Sequence, residues 1–465
     1  MRIGSEDRRP RRFLPFLIAV STLAALTVGG LALWRVGPAP AIEIRPSRPA
    51  IGKRTAIAIA VHEPVRGLGS VVVELVQGES VHKLAEQSHE PRAFWSFWGA
   101  RAADATLSVE PGRETLPDLR GGDAILRVTA SRAGTWFHHP DPEVRELKLA
   151  VRLQAPTLQV LSSRTYVAQG GSEAVVYRVG EGSAKDGVRA GDWYFPGFPL
   201  PGADARTRFA LFAVPYDMAD ASGVRLVAED DAGNEAQASF IEQFTPRPFN
   251  NDTIVLDDAF LQRVVPAIMA ETPSLKDRGT PIENYLQINR DLRRENNAAL
   301  RELARQSRSE FLWREVFLPL PNGKVMSHFA DRRTYMYQGK PVDHQDHLGF
   351  DLASVQHAPV PAGNRGVVVL ARFHGIYGNA VVLDHGYGLM SLYAHLSSIA
   401  VREGQTVERG AILGQSGATG LAGGDHLHYT TLLQGLPVNP VEWWDAHWIR
   451  DRLKSKLQAV LPFAQ

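Results

Sequence analysis

The sequence predicts a mainly β protein in several parts. These are an N-terminal transmembrane helix, two β-sandwich modules, a short helical segment and a C-terminal region of strands separated by glycine turns. Three observations carry this reading. An uncharged, mostly apolar run extends from Phe13 to Trp34. Short runs rich in β-branched residues, bounded by Gly, Pro and Asp, recur between Ile42 and Phe244. A charged stretch with helical spacing lies between Asp257 and Ser307, and strand patterns return at Phe317. With 465 residues the chain is long enough for two to four domains.

The first element is read as an uncleaved anchor over residues 13–34, after a cytoplasmic tail of residues 1–12. The run has the length of about 20 residues that a helix needs to cross a bilayer. A secretory signal has a shorter apolar core and a small-residue cleavage site. Here the run ends in Trp34-Arg35-Val36, which offers no such site. Arg8, Arg9, Arg11 and Arg12 precede it and place the N-terminus in the cytoplasm. Everything after Arg35 is then expected outside a bacterial inner membrane, crossed once, on the periplasmic or extracytoplasmic side.

After a linker at Gly37-Pro38-Ala39-Pro40, residues 42–153 are read as the first β-sandwich module. Its strand runs are Ala56 to Val61, Val71 to Val76, Ala124 to Thr129 and Leu147 to Arg152. Residues 157–246 form the second, with runs at Ala174 to Val179, Arg208 to Ala213 and Val224 to Ala228. The stretch from Val227 to Asn234 resembles the closing strand and turn of immunoglobulin-like modules. Residues 257–311 are read as a helical linker or lid. Asp257 and Asp258 cap a helix from Ala259 to Ala270 that Pro266 interrupts. A longer helix spans Glu283 to Ser307, with Leu286, Ile288, Leu292, Leu300 and Leu303 on its apolar face. Residues 317–445 form the last domain, and residues 446–465 a C-terminal tail.

Composition excludes several chemistries. The net charge of +1 gives no basic stripe for nucleic acid. The chain has no cysteine, so disulfides, thiolate catalysis and Cys-ligated metal are absent. Any metal must be held by His and carboxylate. Two clusters offer that donor set. In His347-Leu348-Gly349-Phe350-Asp351, strand alternation puts His347 and Asp351 on one face, with Gly349 keeping space open between them. In His426-Leu427-His428, a strand places both imidazoles on one face. His395 lies on another predicted strand. Together they supply two imidazoles and one carboxylate for a tetrahedral zinc with an open fourth position, plus spare histidines.

With these clusters go Ser327 to Arg333, Ala358 to Ala362, Gly378 to Gly386, Leu392 to Leu396, Gly404 to Val407, Gly410 to Gly414 and Ala418 to Gly420. This set resembles the lysostaphin/LytM-type zinc endopeptidases of peptidoglycan, over a quarter to a third of the chain. The resemblance implies a compact antiparallel β metallopeptidase domain with a groove across its sheet. It also implies that His347, Asp351 and His428 bind zinc, while His395 and His426 act on the water and the substrate. Two positions depart from the family pattern: Asp425 stands where proline is usual, and Thr430 where a carboxylate often follows. Both bear on loop shape and groove polarity.

Other histidines are set aside. His89-Glu90 lacks the second His of a His-Glu-x-x-His helix, since Ala93 stands there. His138-His139 sits beside prolines and reads as a solvated loop. His344 lacks a following Gly-x-Asp, and His385 reads either as groove-lining or as structural. Gly414-Gln415-Ser416-Gly417 is no nucleophile elbow, because Ala418 replaces the last glycine. The expected function is a membrane-anchored zinc endopeptidase acting on peptidoglycan stem peptides, its β modules offering surfaces to other cell-wall proteins. The alternatives are a peptidase of exported proteins and a non-catalytic activator of a cell-wall amidase. Activators of that kind usually lack metal ligands, whereas this chain keeps all five polar positions.

Overall fold

The computed structural model describes residues 13–34, 38–90, 101–133, 140–458 and 461. The arginines at positions 8, 9, 11 and 12 and the His138-His139 pair lie outside the described residues. The chain is mainly β, as the strand runs predict. Helix α1 (Phe13–Trp34) carries no acidic or basic residue and is long and apolar enough to cross a membrane. The chain divides into two compact units, Met1–Ala155 with Asp230–Asn234, and Pro156–Glu229 with Glu235–Gln465.

In the first unit, strands Ala41–Pro46, Ile57–His62 and Asp104–Val109 form one sheet. Ala50–Ile51, Glu143–Val151, Gly122–Arg132, Leu68–Gln77 and Ser80–Ser88 form another. Alternation decides which residues enter the core. Ile57, Ile59 and Val61 are buried while Ala58, Ala60 and His62 are exposed. The buried set packs with Val71, Val73, Leu126 and Val128 of the other sheet in one cluster.

The second unit opens with two four-stranded sheets. Phe198–Pro199, Thr207–Ala213, Ser172–Val179 and Leu158–Val160 make one. Trp193–Pro196, Ser183–Ala190, Val224–Asp230 and Glu235–Ala238 make the other. Their core does not close on itself. Tyr177, Phe195, Phe209 and Phe212 continue into Trp313, Phe317, Leu389, Leu433 and Trp443 of the C-terminal region. In the stretch expected as a tail, residues 446–465, the described Ile449, Leu453, Leu457 and Leu461 belong to the same core. The chain is helical from Ala446 to Leu457, and Ile449, Leu453 and Leu457 are buried. Their i, i+4 spacing is the sequence signal for that packing.

The C-terminal sheet is antiparallel, in the order Lys324–Ser327, Phe350–Ala353, Leu427–Leu433, Leu389–Leu396, Asn379–Gly386, Gly366–Phe373, Thr406–Val407. Both faces are covered. Phe350, Leu352, Val381, Leu383, Tyr393, Leu427 and Tyr429 face one core. Met390, Leu392, Ala394, Val382 and Leu432 face helix α4 (Arg293–Arg305) through Leu300 and Ala304. Before α4 run α2 (Asp258–Glu271) and α3 (Pro281–Gln287). Asp257 caps α2 by accepting from the Phe260 amide at 2.7 Å, and α2 continues through Pro266. The long helix expected from Glu283 to Ser307 is interrupted: a π-turn at Ile288–Leu292 joins α3 to α4. That turn shifts the apolar stripe so that Ile288 and Leu292 pack with Tyr335 and Ile376, while Leu300 packs on the sheet. The helical segment is therefore part of the domain's cores.

A buried polar joint ties the second β module to the C-terminal region. The Glu442 carboxylate accepts from the Ser172 amide at 2.7 Å, the Ser172 hydroxyl at 3.2 Å and Arg247 Nη2 at 3.2 Å. Trp443 Nε1 donates to the Ser172 hydroxyl at 3.0 Å. Burial pushes the Glu442 carboxyl up to about 7, against the pull of Arg247. Removing one partner of such a pair strands the other, so Glu442→Ala is expected to cost about 3 kcal/mol in urea unfolding. Glu442→Gln, which keeps an acceptor, is expected to cost clearly less.

Candidate metal centre

The metal-ligand candidates sit on the sheet face that α4 covers. His428 alternates with Leu427 and Tyr429, so it shares its face with Thr430 and Leu432. Asp351 pairs in register with His428, and Ala394 of the next strand does too. Helix α4 occupies one end of this face and the polar residues the other. His347 ends the neighbouring strand Lys340–His347, opposite Asp331.

Three ligand atoms converge. His347 Nε2 lies 3.0 Å from Asp351 Oδ1 and 3.0 Å from His428 Nδ1, and His428 Nδ1 lies 2.9 Å from Asp351 Oδ1. The outer atoms of each group are already engaged. His347 Nδ1 lies 3.0 Å from the His328 carbonyl, which can only accept, so this nitrogen carries the proton. The Thr430 hydroxyl donates to the Leu348 carbonyl at 3.0 Å and so accepts from His428 Nε2, also at 3.0 Å. Arg333 donates to Asp351 Oδ2 at 2.9 Å and to the Ser327 hydroxyl at 2.7 Å. In the neutral rings two unprotonated nitrogens therefore face each other beside a carboxylate oxygen. A metal ion held between them would satisfy all three at once. Their spacing is near the separation of about 3.3 Å between ligand atoms of a tetrahedral ion. Outer partners of this kind orient metal ligands generally.

His395 and His426 complete the site. The ring of His395 lies 4.9 Å from that of His426 and 5.7 Å from that of His428. His395 has φ of 61°, rare for a residue with a side chain, at the end of its strand. Its Nδ1 donates to the Thr419 carbonyl at 2.8 Å, and His426 Nδ1 to the Gly424 carbonyl at 2.8 Å. Each ring then offers only Nε2 to further partners, and His426 Nε2 lies 3.5 Å from Asp351 Oδ1. Burial holds His395 well below the ordinary imidazole range and His428 at about 4, so both are neutral at pH 7. Burial also opposes charge on His426, but the hydrogen bond and charge of Asp351 outweigh it and raise that ring. All five histidine and aspartate positions line one cavity of about 240 Å³.

The departures from the family pattern have local roles. Thr430 takes over the orientation of His428. Asp425 accepts from the Ser416 hydroxyl at 2.5 Å and from the His357 amide at 3.1 Å, pinning the loop that leads to His426. His344 lies away from the cluster, with Nδ1 3.2 Å from the exposed Thr334 hydroxyl. His385 is structural: it is fully buried, bonded to the Arg365 carbonyl and the Ser391 hydroxyl, and packs edge-on to Phe317. The family resemblance assigns Arg333 no role. The pairing of Asp331 with His347 is what turns Arg333 toward Asp351. Tyr377, whose ring lies 5.7 Å from that of His428, left no sequence signal.

Gly349 leaves the space its position suggested. A Cβ there would lie 2.6 Å from His428 Cε1 and 2.6 Å from the Thr430 hydroxyl. Gly349→Ala is thus expected to displace His428 and its orienting partner. Metal affinity should fall by about 10- to 100-fold, the usual effect of disturbing outer partners. Competition with a chromophoric chelator measures this; unchanged affinity would mean that the ring moves without cost.

Residues 345–440 match peptidase family M23. Over 166 residues the chain is 34% identical to peptidoglycan DD-endopeptidase ShyA of Vibrio cholerae, covering 36% of each chain. Over 125 residues it is 43% identical to DD-carboxypeptidase/endopeptidase Mpg of Neisseria meningitidis serogroup B, covering 26% of this chain and 27% of that one. The matched part thus spans little more than a third of these relatives at most. Among solved structures, the catalytic domain of lysostaphin from Staphylococcus simulans is 27% identical, with a TM-score of 0.24, covering 27% of this chain and 94% of that one. Residues 345–440 thus mark a peptidase M23 domain in the C-terminal part of this chain.

Proposed function

We propose that the protein is a membrane-anchored zinc endopeptidase that hydrolyses peptide cross-links of bacterial peptidoglycan. The observation that carries this reading is the convergence of two unprotonated imidazole nitrogens and a carboxylate oxygen beside two further histidines in one cavity. His347, Asp351 and His428 would hold the ion. Bound there, zinc would supply polarisation of the scissile carbonyl and a water of lowered pKa, about 7. His395 and His426 each present Nε2, an acceptor when neutral and a donor once protonated. One takes the proton of the attacking water, and the other donates to the oxygen that gains charge. The names of ShyA and Mpg support a wall peptide as substrate. The length of α1, about 33 Å at the helical rise, supports an anchor across an apolar layer of about 30 Å. The arginines before it support the N-in orientation.

Purified peptidoglycan treated with the full zinc-loaded chain is expected to release smaller fragments by mass analysis. His428→Ala should lose both zinc and cleavage. His395→Ala should keep close to one zinc per chain while cleavage falls about 100-fold or more. Loss of zinc from His395→Ala would refute the ligand assignment. A chain that binds zinc but cuts neither wall nor peptide would favour the activator reading.

The helical segment also suits the role of a cover. Phe260, Tyr285 and Arg293 line the cavity, and Arg263 of α2 donates to the Ala422 and Gly423 carbonyls at 3.1 and 3.2 Å. A closed cover lowers apparent activity by the fraction of time it is closed. Arg263→Ala is expected to raise turnover of whole sacculi relative to a short peptide. An unchanged ratio would make the helices a fixed wall.

A further inference from the structure

The two further histidines of the site are held in different ways. His395 lies in the strand Leu389–Leu396, every residue of which is buried. His426 ends a loop. Its amide donates to the Gly417 carbonyl at 3.0 Å, which closes that loop over residues 417–426. Its ring takes its orientation from inside the loop, through the Gly424 carbonyl. The His426 ring is therefore only as well placed as Gly424 is.

Packing does not place Gly424. A Cβ there, or at Gly423, would meet nothing within 4 Å. Glycine has the widest choice of backbone conformations, so two in succession leave the end of the loop loose. Asp425, the next residue, supplies the restraint. Its Oδ1 accepts from the Ser416 hydroxyl and its Oδ2 from the His357 amide, so each oxygen is engaged with a different segment. Ser416 is a firm anchor. It is buried, its hydroxyl accepts from the Ala358 amide at 3.0 Å, and its own amide donates to the Ala358 carbonyl at 2.9 Å. Hydrogen bonds to a carboxylate are roughly twice as strong as those between neutral groups. Asp425 itself is not among the residues that line the metal cavity.

We propose that Asp425 is a positioning residue for His426. By tying the loop to Ser416 and His357 it holds the His426 ring where proton transfer needs it, and it binds neither metal nor substrate. The inference rests on the peptidase reading and deepens it. A carboxylate that works by its charge cannot be replaced by an apolar residue. One that works by stiffening the chain can be replaced by proline, which fixes φ without a side-chain partner. The Asp425 amide donates to nothing among the described residues, so proline removes no hydrogen bond there.

The test uses the full zinc-loaded chain, a soluble cross-linked wall peptide and hydrogen exchange at the His426 amide. Asp425→Ala is expected to keep close to one zinc per chain, while kcat falls about 10- to 100-fold with KM unchanged, as for a misplaced acid–base group. Exchange at His426 should quicken about 10-fold or more with the loss of the carboxylate's hydrogen bonds. Asp425→Pro should return both readouts toward wild type. Ser416→Ala removes the same tie from the other side, so adding it to Asp425→Ala should lower kcat little further. Wild-type kcat in Asp425→Ala would overturn the proposal, and so would fully additive losses in the double variant. An Asp425→Pro chain that protects the amide but stays as slow as Asp425→Ala would overturn it too, because loop order would then not be what the reaction needs. If the wild-type chain cuts no peptide, the peptidase reading falls and exchange alone decides the clamp: unchanged exchange in Asp425→Ala removes it.

Discussion

Two imidazole nitrogens without protons, 3.0 Å apart and each beside the same carboxylate oxygen, are the constraint around which the C-terminal domain is arranged. Left to themselves they repel. The arrangement is held because every outer atom has a partner that fixes which nitrogen is bare. The His328 carbonyl does this for His347, Thr430 for His428 and Arg333 for the remaining oxygen of Asp351. These three partners come from separate positions in the chain, so the site exists only when the strands are in register. Gly349 belongs to the same arrangement, since any side chain there would enter the space of the His428 ring.

The register in turn depends on cores on both faces of the sheet. One is closed by Tyr393, Tyr429 and their neighbours. The other is shared between α4 and the polar site, which divide a single sheet face end to end. The helices before the domain therefore stabilise the sheet and wall the cavity at once. The second β module is drawn in the same way, because its aromatic core runs into Trp313, Phe317 and Trp443. The Glu442 joint adds a directional tie to this non-directional packing.

Much of this was legible in the sequence because it is local. The motif placed His347 near Asp351, although the chain leaves one strand at His347 and enters another at Phe350 rather than running on as a single strand; periodicity located the helices between residues 258 and 305 and several of the strands. Less legible were features that depend on what lies across a sheet or beyond a domain edge. The π-turn at Ile288–Leu292 leaves no mark in the residue spacing, and it sets where Asn289 and Arg293 meet. Ile449, Leu453 and Leu457 carried a readable stripe but no motif, and passed for a tail. The immunoglobulin-like look of the stretch from Val227 to Asn234 did not reveal that its module shares a core with the last domain.

By itself, the sequence determined the donor types, the apolar N-terminal run and the exclusion of cysteine chemistry. These follow from residue identity and short-range spacing, which no packing can change. The tertiary structure alone decided which nitrogen of each histidine is bare, that Thr430 and Arg333 hold the ligands, and that His395 turns toward the cluster at a positive φ. It also decided that Arg293, from a helix more than fifty residues before His347, faces the same cavity. The physical reason is the same in each case. A side chain's neighbours are chosen by distance in space, and only the paired sheet and its two cores bring those groups together.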